Sequence, residues 1–289
     1  MKIESFAKIN LGLEVVQRRP DGFHEVRTLF QSVGLRDTLE FLSIPGGGIE
    51  LTGSDSSISW AEDNLIHRAA VLLVRRHAPK KGGIAIRVIK NIPPGRGLGG
   101  GSSNAAMTLW ALNRLWGLGL ARRELMALGA ELGSDVPYFL EGGLCLGTGR
   151  GEEVQPLENL GSRHVLLVLP RLAVSTAHIY GQHRVALTSR GKDSKIMQFL
   201  KSPGLHGLEN DLEETIFCFY PLIKETKRRL HDLGPELTLV SGSGSAVFGL
   251  FSEARAARLA RRALETEARV CLVETLTREQ YWESVYTGV

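Results

Sequence analysis

The 289-residue sequence contains no apolar run approaching the roughly 18 residues that a membrane-spanning helix needs. Its first residues, Met1-Lys2-Ile3-Glu4-Ser5, lack the apolar stretch and small-residue cleavage site of a signal peptide. Cysteine is scarce. Cys145, Cys218 and Cys271 are three in number and far apart, and neither a disulfide framework nor a zinc cluster follows from them. Each has apolar neighbours and reads as a small buried hydrophobe. These absences lead to the expectation of a cytoplasmic chain with no membrane partner. Excess charge is small as well, at a formal +4. The densest basic stretch, Arg255, Arg258, Arg261 and Arg262, shares its helix with Glu253, Glu265 and Glu267, so it reads as a solvated face of mixed charge. Aromatic residues do not interleave with basic ones, so no nucleic-acid partner is expected. Asp, Glu and His form no cluster with metal-ligand spacing. His178 and His183 are poorly spaced for one helix face, and no metal ligand is assigned.

What the sequence does have is glycine, 33 residues of it, and it is clustered. Hydrophobic residues at 43% and charged residues at 23% fit a soluble globular chain with a sizeable core. Ile9, Leu11, Leu13 and Val15 alternate with Lys8, Asn10, Gly12 and Glu14, which predicts a strand with Lys8 and Asn10 on the face opposite the aliphatics. The turn composition Arg19-Pro20-Asp21-Gly22 follows, then strands near Thr28–Val33 and Thr38–Ile44. Asp63 to Arg76 reads as a helix and Ile84 to Ile92 as a strand. Asn104 to Trp116 and Arg122 to Leu132 read as helices. Gly142 to Gly151 suggests a hairpin or domain boundary. Beyond it, strands at His164–Leu169, Leu237–Val240, Ala246–Phe251 and Val270–Leu276 mix with helices at Ser194–Leu200, Glu209–Phe219, Pro221–Leu233 and Glu253–Glu267. Without regular βαβ alternation, the fold class is α+β, with two domains divided near residue 155.

The glycine cluster that stands out is Pro93-Pro94-Gly95-Arg96-Gly97-Leu98-Gly99-Gly100-Gly101-Ser102-Ser103, placed between a strand and a helix. That arrangement presents backbone N–H groups and a helix N-terminus to an anion. Bare glycines let the backbone approach a phosphate, and Ser102 and Ser103 add hydroxyls that can cap the helix. The P-loop pattern needs a Gly-Lys-Ser/Thr ending, and no lysine is present here. Gly95, Gly97 and Gly100 match a dinucleotide fingerprint formally. A second helix, rather than a strand ending in an acidic residue, follows the first, so that reading fails on context.

This segment resembles the phosphate loop of the GHMP kinases (galactose, homoserine, mevalonate and phosphomevalonate kinases and relatives). Phe6-Ala7-Lys8-Ile9-Asn10-Leu11 resembles the first motif of that family, and Val240-Ser241-Gly242-Ser243-Gly244-Ser245 its third. Arg19-Pro20-Asp21-Gly22-Phe23-His24, the triple glycine Gly99-Gly100-Gly101 and Leu132-Gly133-Ser134-Asp135-Val136-Pro137 narrow the likeness. They resemble the branch that phosphorylates a cytidine-diphosphate polyol on the non-mevalonate route to isoprenoid precursors. The likeness is strong from about residue 3 to residue 150 and looser beyond. It implies a ribosomal-protein-S5-domain-2-like N-terminal domain over 1–155 and a ferredoxin-like C-terminal domain over 156–289. It also implies ATP as phosphoryl donor with Mg²⁺, a small-molecule cytidine-diphosphate substrate, and a monomer or weak homodimer.

Phosphoryl transfer needs held phosphates, neutralised charge and an oriented nucleophile. Asp135, just after a helix, is either a turn aspartate or a base for the acceptor hydroxyl. Lys8 is either an edge-strand lysine in solvent or a cation that keeps such a carboxylate ionised. The resemblance implies that Lys8 and Asp135 are the catalytic pair and that Asn10 lines the acceptor site. It implies that Phe23 and His24 recognise cytosine, that Tyr180 supplies the second stacking ring and that Thr176 contacts the acceptor. The family usually carries tyrosine where Phe23 stands, so this chain keeps the ring and lacks the hydroxyl. Another GHMP small-molecule kinase, acting on a sugar or mevalonate-like alcohol, or a non-catalytic nucleotide-binding relative would share most of these motifs.

Overall fold

The computed structural model describes residues 1–77, 82–183, 194–266 and 268–285. Two sheets organise them, one six-stranded and one four-stranded. In the first, β1 (Lys2–Arg18) and β2 (His24–Ile44) form a long antiparallel hairpin closed by the turn at Arg19 to Phe23. The two expected strands at Thr28–Val33 and Thr38–Ile44 are one continuous strand. Their separateness survives on its far edge: Thr28–Gln31 pair with β5 (Leu144–Thr148), while Thr38–Ile44 pair with β4 (Gly83–Ile89). β3 (Ile49–Gly53) joins β4 in parallel, and β6 (Glu153–Pro156) completes the hairpin expected around Gly142–Gly151.

Helices α1 (Leu65–His77) and α2 (Gly100–Trp116) pack over this sheet, and α3 (Arg122–Leu132) packs against those two helices. The apolar stripe of α2, with Ala105, Leu109 and Leu112 fully buried, meets Ile3, Phe6, Phe30 and Leu39 of the hairpin. Short α4 (Val136–Phe139) is buried throughout.

The second sheet has the order β10-β7-β9-β8 from β7 (His164–Leu169), β8 (Leu237–Val240), β9 (Val247–Phe251) and β10 (Arg269–Glu274), all antiparallel. With helices between β7 and β8 and between β9 and β10, this is the split βαβ topology of a ferredoxin-like unit. The connecting helices are α5 (Thr176–Gln182), α6 (Lys195–Lys201), α7 (Glu213–Phe219), α8 (Pro221–His231) and α9 (Ala254–Leu264); Glu267, expected in the last, lies outside the described residues. α10 (Arg278–Val285), not anticipated, returns to the first sheet, where Tyr281 packs on Phe6 and donates to the Phe139 carbonyl.

Both faces of β1 are interior, so its alternation does not separate core from solvent. Ala7, Ile9 and Leu11 enter one cluster with strands of the second sheet, while Phe6 enters the cluster under α2. Its free edge is closed by the rest of the chain: Lys8 N donates to Leu98 O and Leu13 N to Glu209 O. Of the cysteines, Cys145 is buried, with burial pushing its thiol up to about 12, whereas Cys218 is exposed, against expectation. Cys218 sits in α7, whose inward stripe is carried by Ile216.

Candidate active site

The glycine segment leaves β4 and runs into α2. Gly95, Gly97 and Gly99 all have left-handed φ, at 65°, 73° and 70°. A methyl group on Gly97 would sit 1.9 Å from the Ser241 carbonyl oxygen, and one on Gly99 would sit 2.6 Å from Phe139. Glycine at these two positions is therefore what lets the loop lie between α4 and the turn Ser241–Gly244. The helix begins at Gly100, not at Asn104, so Gly100, Gly101, Ser102 and Ser103 form its first turn. The expected serine cap is corrected: Gly99 is the N-cap, with no side-chain cap. Ser103 is turned inward to Ser5 Oγ at 2.7 Å, while the rest of Pro93–Ser102 lines a cleft of about 380 Å³. Arg96 ties the loop to the second sheet, donating to Pro170 O and Ser245 Oγ, and Ser241 Oγ donates to Gly97 O at 2.9 Å.

Lys8 reaches the same cleft from β1. It is 3% exposed, which removes the solvent-lysine alternative. Its Nζ donates to Asn10 Oδ1 at 2.5 Å, stands 3.5 Å from Asp135 Oδ2 and lies over the Phe30 ring. Asn10 in turn donates to Thr28 Oγ1 at 2.7 Å, and Thr28 donates to Gly12 O. Every partner of the ammonium is thus an oxygen or a ring face, a setting that accommodates a buried cation. Asp135 precedes α4, whose Tyr138 hydroxyl is anchored to Ser32 Oγ and Gly143 O. The buried turn holds the carboxylate at the cleft, one-third exposed.

A second cleft, of about 540 Å³, adjoins the first, and Asp135, Arg150, Thr176 and Tyr180 line both. Phe23 and His24 line the second. His24 and Tyr180 have ring centroids 5.4 Å apart, so the ring beside Tyr180 is the histidine. Phe23, 52% exposed, faces the Arg150 guanidinium instead, 5.0 Å from its centroid. Burial, then the charges of His183 and Arg18, hold the His24 ring below its ordinary value, while burial and the Asp135 carboxylate raise the Tyr180 phenol. Thr176 Oγ1 is 2.7 Å from Ser243 Oγ, which joins α5 to the turn Ser241–Gly244.

Several wall residues were not anticipated. Lys90 Nζ would lie 3.3 Å from a methyl group on Gly100, and Leu65 would touch one on Gly101; Trp60 and Asn64 line the same cleft. A lysine from outside the glycine segment thus stands beside it. Lys90 is paired with Asp37, which is fully buried and also accepts the N–H groups of Asn91 and Ile92 at 2.7 and 2.8 Å. Arg150 lies in Gly149-Arg150-Gly151; a charged residue bracketed by glycines was the one signal that could have marked it. Among the described residues, no group of three His, Cys, Asp or Glu is placed to hold a metal ion, and no helix is long and apolar enough to cross a membrane.

A loop of left-handed glycines at the start of a long helix, a buried lysine facing an aspartate, and a second glycine turn closing over them define a small-molecule kinase site on a two-sheet fold. The comparisons agree: the GHMP kinases N terminal domain matches residues 64–143 and the GHMP kinases C terminal domain residues 195–269. The chain belongs to the GHMP kinases. It is 39% identical to the 4-diphosphocytidyl-2-C-methyl-D-erythritol kinase of Pelotomaculum thermopropionicum, over 93% of this chain and 96% of that one. The enzyme of the same name from Bacillus cereus is 37% identical over 86% of this chain and 87% of its own length. A crystal structure of 4-(cytidine 5'-diphospho)-2C-methyl-D-erythritol kinase superposes with a TM-score of 0.80 at 36% identity, covering 95% of this chain and 99% of that one. The homoserine kinase of Cytophaga hutchinsonii, at 18% identity and a TM-score of 0.75 over 96% of this chain and 95% of its own, shares the fold.

Proposed function

We propose that this chain transfers the terminal phosphoryl group of ATP to the 2-hydroxyl of 4-diphosphocytidyl-2-C-methyl-D-erythritol, within the non-mevalonate route to isoprenoid precursors. The observation that carries the reading is the position of Asp135, which belongs to both clefts and stands beside Lys8. One cleft has the glycine loop and suits a nucleotide triphosphate. Gly95 to Gly101 and the first turn of α2 offer backbone N–H groups to the phosphates, with Ser102 adding a hydroxyl, and Trp60 and Leu65 give the adenine an apolar wall. The other cleft has Phe23, His24 and Tyr180 and suits a pyrimidine base.

Asp135 takes the proton of the acceptor hydroxyl as the oxygen attacks the terminal phosphorus. Lys8 stands beside the carboxylate and offsets negative charge as it builds on the attacking oxygen. Asn10 orients Lys8 and lines the acceptor side with Thr176. Magnesium accompanies the nucleotide. Asp135 is the carboxylate that the described cleft walls present, and this fits an ion that keeps its waters and binds chiefly through phosphate oxygens. The protein acts in the cytoplasm as a monomer or weak homodimer, without nucleic acid, as two domains over 1–155 and 156–289.

The direct test is to mix the purified protein with ATP, Mg²⁺ and the diphosphocytidyl polyol, following ADP release and product mass. Absence of ADP above background overturns the reading. Turnover of a sugar or mevalonate-like alcohol without cytidine protection assigns a different acceptor.

A further inference from the structure

An acceptor with a base at one end and its reacting hydroxyl at the other must lay whatever joins them between Phe23-His24 and Asp135. The residues shared by the two clefts mark that interval: Val26, Asp135, Arg150, Thr176 and Tyr180. Arg150 is the cation among them. We infer that Arg150 is a specificity-determining residue that grips the diphosphate of the acceptor, so that the site selects a nucleoside diphosphate over the bare nucleoside. This rests on the cytidine-diphosphate reading proposed above.

Three observations carry it. The turn Gly149-Arg150-Gly151, with φ of 69° and 111° at its glycines, carries the arginine across the junction of the clefts, and a methyl group on Gly151 would lie 3.9 Å from Asp135 Oδ1. Glu152 fixes it from behind, accepting the Arg150 N–H at 2.6 Å and its Nε–H at 3.0 Å. That leaves both terminal nitrogens without a hydrogen bond to the described residues. A guanidinium oriented through Nε, with its two-nitrogen edge open, matches the paired oxygens of a phosphate group. Thirdly, the face of the guanidinium lies over Phe23. Stacking uses the face and phosphate binding uses the edge, so one residue can form part of the base pocket and still hold the anion beyond it. Phe23 lacks a hydroxyl with which to compete for that edge.

The test compares cytidine, CMP and CDP as inhibitors of ATP turnover, and as ligands in calorimetry, for wild type, Arg150→Met, Arg150→Lys and Phe23→Leu, each checked for folding by thermal melt. Arg150→Met is expected to weaken CDP about 10- to 100-fold, the scale of charge-assisted hydrogen bonds, while cytidine changes less than about threefold. The KM for ATP stays near wild type. Arg150→Lys, which keeps charge without the planar edge, falls between them. Phe23→Leu weakens all three ligands alike. Equal losses for CDP and cytidine in Arg150→Met, or no loss for either, overturn the inference. If the Met variant does not fold, an unimpaired CDP preference in Arg150→Lys overturns it. Wild type that binds cytidine and CDP equally refutes the role of Arg150 alone, whereas wild type that binds neither refutes the acceptor reading itself.

Discussion

Lys8 Nζ stands 3.5 Å from Asp135 Oδ2, although one residue sits in the first strand and the other at the start of a short buried turn after α3. The ammonium is shielded from water and the carboxylate partly open to it, so the lysine is the fixed partner and the aspartate the one an acceptor can reach.

Asp135→Asn keeps the shape and removes the carboxylate proposed as the base. The expected result is a fall in kcat of about 10²- to 10⁴-fold, the usual range for a positioned general base, with ATP binding little changed. Lys8→Met should fall comparably. The double variant should fall far less than the product, because the two groups act on one proton transfer. Single-turnover kinetics with calorimetric ATP binding checks this.

Gly97→Ala places a methyl group 1.9 Å from Ser241 O at a φ of 73°. The left-handed backbone alone costs about 1–2 kcal/mol for an alanine. The clash falls on backbone rather than on a flexible side chain, so the turn Ser241–Gly244 must move away from the loop. A lower thermal midpoint together with a raised KM for ATP is expected, and unchanged values of both refute the packing argument.

Asp37→Ala removes the fully buried anion behind the glycine loop, stranding Lys90 and the N–H groups of Asn91 and Ile92. Breaking such a pair from one side costs roughly 3–5 kcal/mol. Asp37→Asn can still accept those two N–H groups through Oδ1 and should lose less. Denaturant unfolding measures both.

His24 has its ring held below the ordinary histidine range, first by burial and then by His183 and Arg18. The folded chain therefore takes up this proton later than the unfolded chain does as pH falls. Stability contributed by the neutral ring is intact above the unfolded value of about 6.5 and is lost progressively below it, levelling off under the folded value. The acceptor KM should rise over the same acidic window while the KM for ATP does not. A titration of the His24 ring by NMR with an ordinary midpoint contradicts this.

Much of the site was readable from local pattern. Alternation in Ile9 to Val15 put Lys8 and Asn10 on one face, and they are hydrogen-bonded. The glycine segment announced a tight loop at a helix start, and Gly95, Gly97 and Gly99 do take left-handed φ just before Gly100. Phe23, His24 and Tyr180 line one cleft, and there Phe23 meets Arg150 while His24 meets Tyr180, contacts that no local pattern announced. Adjacent residues at the end of a turn point different ways, and which one faces α5 depends on the hairpin's exit angle.

The sequence by itself determined what periodicity and backbone freedom dictate: strands, helices, the glycine loop between β4 and α2, and the shared face of Lys8 and Asn10. Tertiary structure decided which distant segments meet. It brought Lys90 and Asp37 behind the loop, laid Ser241 on Gly97, returned Tyr281 to the first sheet and set Arg150 between two clefts. Those contacts join segments with no shared local pattern. They arise because both faces of the first strand, and its open edge, must be covered by the rest of the chain.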